Sequence, residues 1–403
     1  EDIAVSTVSN AGPTMTIALA PYSVTVVSLT GPTSAPASTS QPTSQTIASG
    51  HTVTFSFPAT GGPTPTFQWY LNGSAVSGAT NSTIVIGGAT SANAGTYTCT
   101  ATNASGTLTS SPATLTVATT ANPGRLVDLS ARASVGTGGN IIFGGFAIGG
   151  AGTSGTESIL IRASGPTIGA APYGVPGVLP DPQIQLFDKN AAAIAGDTNA
   201  GWAGNAQVAA AAAQVGAFSW PVTTSKDSAL LLSLAPNPYT AQVSGVSGDT
   251  GVALFEAYDA TPAASYTLAT PRLINLSARV NIASGAANAL FVGFAIHGST
   301  SVTVLIRASG PGLVQYGVPG TLPDPELTLK DQASSATLAY NGAWGGDAVI
   351  ASVAASVGAF PWASASSHDS AILVTLPPGV YAAVADGTNG DAGVALVEVY
   401  EVQ

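Results

Sequence analysis

Across most of this chain apolar and polar residues alternate one by one in short runs, a period of two that marks strands with one buried face. MTIALA (15–20) and YSVTVVSL (22–29) read this way, as do LVDLSARA, IIFGGFAI, SILIRAS, PQIQLFD, SALLLSL, YTAQVSG and GVALFEAY between residues 126 and 258. Two stretches break the alternation, NAQVAAAAAQV (205–215) and DAVIASVAASV (347–357), and their alanine content predicts a short helix in each. Asn205 and Asp347 stand where an N-cap belongs, and Gly216 and Gly358 where a left-handed C-terminal residue belongs.

The strand-and-helix pattern is written twice. RLVDLSAR from Arg125 returns as RLINLSAR from Arg272, and ILIRASGP from Ile159 as VLIRASGP from Val304. YGVPGVLPDP from Tyr173 returns as YGVPGTLPDP from Tyr316, and GDTGVALFEAY from Gly248 as GDAGVALVEVY from Gly390. A repeat of roughly 145 residues is too long for a solenoid turn and fits a duplicated domain. We therefore expect an all-β protein of tandem β-sandwiches, with residues 123–260 and 271–403 as two self-contained jelly-roll-like copies, each carrying one short helix.

Composition narrows the function classes. Only 7% of the 403 residues are charged, the net charge is −11, and no Lys or Arg precedes Arg125. Such a chain is repelled by nucleic acid and by anionic membrane surfaces, and no apolar run approaches the roughly 20 residues needed to span a bilayer. The single cysteine cannot form an internal disulfide. GPTSAPASTSQ (31–41) has the composition of a stiff, uncharged tether. With a start at Glu1 that has neither methionine nor signal segment, this predicts a piece of a longer, secreted, extracellular protein.

Residues 42–118 carry GHTVTFSF (from Gly50), GGPTPTFQWYLNG (from Gly61) and NAGTYTCTATNASGT (from Asn93). These motifs resemble an I-set immunoglobulin-like domain. The resemblance implies a core Trp69, a hairpin turn at Asn72-Gly73, and a tyrosine corner at Tyr97, two residues before Cys99. Phe57 stands where the family's first cysteine would be, so it is expected to fill the disulfide's place and leave Cys99 buried and unreactive.

TMTIALAPYSVTVVSL within residues 1–30 resembles the closing strands of the C-terminal β-sandwich of bacterial glycoside hydrolases. The endings LAPNPYTAQVSG (from Leu234) and LPPGVYAAVADG (from Leu376) resemble secreted β-sandwiches of the pre-peptidase C-terminal type. The complete copies resemble an uncharacterised repeat appended to large secreted proteins of the Verrucomicrobia. Together these resemblances imply a non-catalytic C-terminal region of a secreted carbohydrate-active enzyme.

Because charge is scarce, the charges that recur are informative. Arg162, Asp181 and Asp227 return as Arg307, Asp324 and Asp369, and Glu256 returns as Glu398. Arg162 and Arg307 lie inside apolar strands, where an unpaired charge is costly, so we expect structural ion pairs. Asp181 and Asp324 could serve as catalytic acids only across a cleft of about 5–10 Å, and their place in LPDP turns favours a structural role. Trp202 and Trp220 return as Trp344 and Trp362 around each helix, as anchors for the helix or as platforms for sugar rings. Asp197, Asn199 and Asn205 form an oxygen-rich loop for which calcium is a candidate, although turn stabilisation accounts for it more simply. No other cofactor is implied.

The expected partner is a polysaccharide or a cell-envelope component, bound with gain from tandem sites. The alternative is an adhesive or filament-forming protein that self-associates through the strands of residues 1–30.

Overall fold

The structure, a computed structural model, describes residues 33–194, 202–262, 264–283 and 289–403. The strands expected within residues 1–30, and with them the self-association expected of those strands, lie outside the described residues, as do Asp197 and Asn199 of the candidate calcium loop.

The first domain consists of β1 (Ser34–Ala37), β2 (Gln45–Ala48), β3 (Val53–Ser56), β4 (Thr60–Gly62), β5 (Thr66–Leu71), β6 (Ser74–Ala75), β7 (Thr83–Ile86), β8 (Gly95–Asn103), β9 (Gly106–Thr109) and β10 (Ala113–Ala118). One sheet runs β2-β10-β8-β5-β6 with β9 on β8, and β3 pairs with β7 opposite it. β1 lies inside the stretch expected to be linker, and it is ordered because it pairs with β4. Phe57, Trp69 and Cys99 are fully buried in one core. Burial pushes the Cys99 thiol up to about 11, which leaves it protonated and unreactive. The Tyr97 hydroxyl donates to Asn93 O at 2.8 Å, forming the tyrosine corner, and Asn72 and Gly73 take the positive φ angles of a hairpin turn.

The first copy contributes β11 (Arg125–Val135), β12 (Ile142–Gly149), β13 (Glu157–Ser164), β14 (Pro182–Asp188), β15 (Ser228–Leu234), β16 (Pro238–Gly245) and β17 (Gly251–Asp259). It also holds the one-turn helix α1 (Pro166–Gly169) and the longer helix α2 (Ala206–Gln214). The second copy contributes β18 (Arg272–Ile282), β19 (Leu290–His297), β20 (Val302–Ser309), β21 (Pro325–Asp331), β22 (Thr337–Asn341), β23 (Ser370–Leu376), β24 (Gly379–Gly387) and β25 (Gly393–Glu401), with helix α3 (Ala348–Ser356). The Asn205 and Asp347 side chains cap α2 and α3 by accepting from two backbone amides each.

The copies are sandwiches, but they are not self-contained. One layer runs β15-β13-β17-β11-β19-β24-β21-β22 and the other β23-β20-β25-β18-β12-β16-β14, so each layer takes strands from both copies, and the two are joined where β11 pairs with β18 at Leu126 and Leu273. The junctions repeat each other: β11 pairs with β19 and β12 with β18, and the ladder skips Val127 in the first and Ile274 in the second. Gly145 and Gly293 occupy matching junction positions, where a Cβ would lie 2.4 Å from Ser277 Oγ and Ser130 Oγ respectively. A single buried cluster containing Phe146, Phe255, Phe294 and Val397 runs through both copies. Edge strands left open invite pairing, and each copy closes the edges of the other.

The immunoglobulin-like domain docks on the second copy, although the first copy follows it in the chain. Ser301 N donates to Thr46 O at 2.7 Å. Thr303 Oγ1 bonds Thr52 O at 2.6 Å, and Thr54 N donates to Thr375 Oγ1 at 2.8 Å, all buried. Thr375→Val would strip the Thr54 amide of its acceptor at a cost of about 1–3 kcal/mol. Faster hydrogen exchange at Thr54, with the sandwich core unchanged, is the expected result.

Candidate functional site

The recurring charges and tryptophans gather beside α2 in the first copy and α3 in the second, on the outer face of the strands. Arg162 projects from β13 and is 1% exposed. Its Nη2 donates to Phe218 O at 2.8 Å, and Nη1 lies 3.4 Å from Glu256 Oε2. Its guanidinium carbon sits 4.5 Å from the Phe218 ring centroid and 4.3 Å from that of Trp220. Arg307 repeats the arrangement with Phe360 O at 2.9 Å, Glu398 Oε2 at 3.4 Å, and the rings of Phe360 and Trp362 at 4.4 and 4.2 Å. Burial raises the pKa of both glutamates and the facing arginine opposes the rise.

The arginines therefore pair with Glu256 and Glu398, and not with the recurring aspartates. Asp227 is fully buried and accepts from Gly165 N at 2.8 Å, from the Thr167 amide and hydroxyl, and from the Ser225 hydroxyl. Asp369 holds Gly310 N, Gly312 N and the Ser367 hydroxyl in the same way. Both aspartates pin the turn that follows β13 or β20 by accepting from buried backbone amides that would otherwise lack a partner. Asp181 pairs with Lys226 at 2.6 Å and Asp324 with His368 at 3.1 Å, each within its own copy.

Trp202 and Trp220 meet edge to face at 5.6 Å, and Trp344 and Trp362 at 5.2 Å. Trp220 Nε1 donates to Ser164 Oγ at 3.0 Å, and Trp362 Nε1 to Ser309 Oγ at 2.9 Å. Trp202 and Trp220 are 8% and 7% exposed, and Trp344 and Trp362 are half-buried against α3. A sugar platform needs an open ring face. Trp202 and Trp220 offer none, since each ring is covered by the other and by the helix cluster.

Open rings lie next to this cluster instead. Tyr173 is 47% exposed and packs on Phe218 at 5.1 Å; Tyr316 is 56% exposed and packs on Phe360 at 5.2 Å. Thus Phe218 and Phe360 have Arg162 or Arg307 against their rings and an exposed tyrosine packed on them. Sequence reasoning used Tyr173 and Tyr316 only as markers of the repeat; their recurrence in a loop motif was the available signal.

Among the described residues no three His, Cys, Asp or Glu side chains gather to hold a metal ion. Asn205, from the candidate calcium loop, spends its side-chain oxygen on the amides of Gln207 and Val208. No described helix is long and apolar enough to cross a membrane.

Residues 35–103 match the immunoglobulin domain family, whose members commonly serve as structural or binding modules. Among solved structures, the tandem immunoglobulin repeats of Dlar are 30% identical, covering 21% of this chain and 49% of that one, with a TM-score of 0.20. The N-terminal Ig1-2 module of the Drosophila receptor protein tyrosine phosphatase DLAR is 30% identical over 21% of this chain and 45% of that one, with a TM-score of 0.20. A chimeric titin Z1Z2 is 31% identical over 22% of this chain and all of that one, also at 0.20. The chain thus spans about half the length of the Dlar structures it matches. No curated protein matches it in sequence.

Proposed function

We propose that this chain is a non-catalytic binding and spacer region of a secreted, modular carbohydrate-active protein, and that its tandem copies hold a polysaccharide. The observation that carries this reading is the duplicated exposed tyrosine, Tyr173 and Tyr316, each packed against a phenylalanine. A ring held this way loses little freedom when a sugar's C–H face stacks on it, and two such rings on one rigid body raise apparent affinity without a new contact. The low charge and acidic balance suit a neutral polymer better than an anionic one.

The test is retention of the full chain on cellulose, chitin, xylan and peptidoglycan sacculi. Tyr173→Ala and Tyr316→Ala should each weaken retention by about tenfold, and the double variant by on the order of a hundredfold or more, because effective concentration is lost with the second site. Retention that both variants leave unchanged, or that no glycan shows, would overturn the reading. The buried contact between the immunoglobulin-like domain and the second copy favours a second reading, a stiff extracellular structural element. That reading predicts no glycan retention at all.

A further inference from the structure

The immunoglobulin-like domain sits on the second copy through three hydroxyl-bearing residues. Ser301 N donates to Thr46 O, Thr303 Oγ1 donates to Thr52 O, and Thr375 Oγ1 accepts from Thr54 N. The contact leaves Ser301, Thr303 and Thr375 only 5%, 1% and 4% exposed. Strand β20 corresponds to β13 and β23 to β15, which sets Thr156, Ser158 and Ser233 at the three matching positions, so the first copy keeps a hydroxyl at each. The pairing is kept as well: Thr303 lies opposite Thr375, and Ser158 opposite Ser233. Yet in the first copy Thr156 and Ser233 are exposed and Ser158 is half-buried.

The path of the chain accounts for the difference. Ahead of Arg125 it crosses the second copy, where Ser299 N donates to Asn122 O at 3.0 Å; ahead of Arg272 it crosses the first, where Ser154 N donates to Ala269 O at 3.0 Å. The segment that crosses the second copy brings a folded domain with it. The one that crosses the first is only residues 260–271, too short to fold into a domain. Its Tyr266 ring covers Arg125 at 3.9 Å and leaves Thr156 and Ser233 open.

We infer that the first copy carries a second seat for an immunoglobulin-like domain. Its occupant is such a domain from a separate molecule, presenting the edge that this chain's own domain presents: carbonyls matching Thr46 and Thr52 and an amide matching Thr54. Exposed hydroxyls alone would suit many ligands. What selects a domain edge is that the matching hydroxyls of the sister copy, in the same register, are already bonded to one. The second seat is the weaker of the two, because Val85 packs against a cluster that includes Val353 of α3, and the matching residue of α2 is the smaller Ala211. A seat filled from outside makes a heterologous contact, which links molecules into open assemblies, and it stands whether or not either copy holds a glycan.

The experiment adds residues 33–118, which have their own core and their own sheets, as a separate domain to the full chain, whose own domain already fills the seat on the second copy. Hydrogen exchange at Thr156, whose amide matches the Ser301 donor, should slow with a Kd of about 0.1–1 mM. Ser233→Arg in the full chain, a change at an exposed position, should weaken this binding about tenfold or more. Ser158→Thr with Ser233→Thr, which copies the second-copy seat, should tighten it about threefold or more. A second measurement needs no separate domain: in the full-length Thr375→Arg variant, which denies the domain its own seat, Thr156 should gain the same protection, and adding Ser233→Arg should abolish it. A Thr156 amide that stays unprotected in both experiments, or protection that Ser233→Arg does not alter, would overturn the inference.

Discussion

Replacing Arg162 by methionine should destabilise the sandwich by about 3–5 kcal/mol at neutral pH, the range seen when one partner of a buried ion pair is removed. Methionine refills most of the arginine stem's volume, so packing loss is minor. The cost comes from Glu256, 3% exposed, which would be left charged without Nη1 at 3.4 Å and with only the Tyr258 hydroxyl at 2.7 Å. Burial already raises its pKa, and loss of the arginine removes the influence that holds it down. The deficit should therefore shrink as pH falls and Glu256 takes up a proton. Arg162→Met with Glu256→Leu should recover most of the stability, because two apolar groups replace two desolvated charges. Denaturant midpoints of the single and double variants check this, and a single variant within about 1 kcal/mol of the parent would refute the ion-pair assignment. Arg307→Met should behave alike.

Local chemistry was the legible part of this chain. Asn205 and Asp347 cap their helices, and Tyr97 forms its corner because a cap or a corner is closed by residues a few positions apart. Matching Tyr239 and Tyr381, whose hydroxyls donate to Ala235 O and Pro377 O at 2.8 and 2.7 Å, follow the same short-range logic. Partners chosen across the fold were not legible. Arg162 faces Glu256 and not Asp227 because β13 pairs with β17 in a register that sets Arg162 opposite Glu256, and no local pattern encodes register. Nor does strand alternation say which edge closes which. Leu129 and Phe294 belong to different copies, yet they sit opposite each other across the junction. The burial of Trp202 and Trp220 was likewise a matter of where the helix lands.

Glu157→Gln should flatten a pH dependence that the parent chain carries. Glu157 is fully buried at the start of β13, neither of its oxygens has a hydrogen-bond partner, and the matching residue in the second copy is Val302. Burial first, and then the charge of Asp259, push its carboxyl from 4.5 up to about 9, against the opposing pull of Arg125 and Arg272. Below pH 4.5 the folded and unfolded chains both hold the proton, so Glu157 has no effect on the pH dependence there. As pH rises from 4.5 to about 9 the unfolded chain gives up the proton and the folded chain keeps it, so stability falls throughout that window. At pH 7 the loss is about 3 kcal/mol. Parent and Glu157→Gln should therefore diverge steadily above pH 5, with the variant the more stable, while Glu157→Val, which copies the sister repeat, should gain more by removing the buried polar group as well. Denaturation midpoints from pH 4 to 9 read the effect, and parallel profiles for parent and variant would show that Glu157 is ionised in the fold.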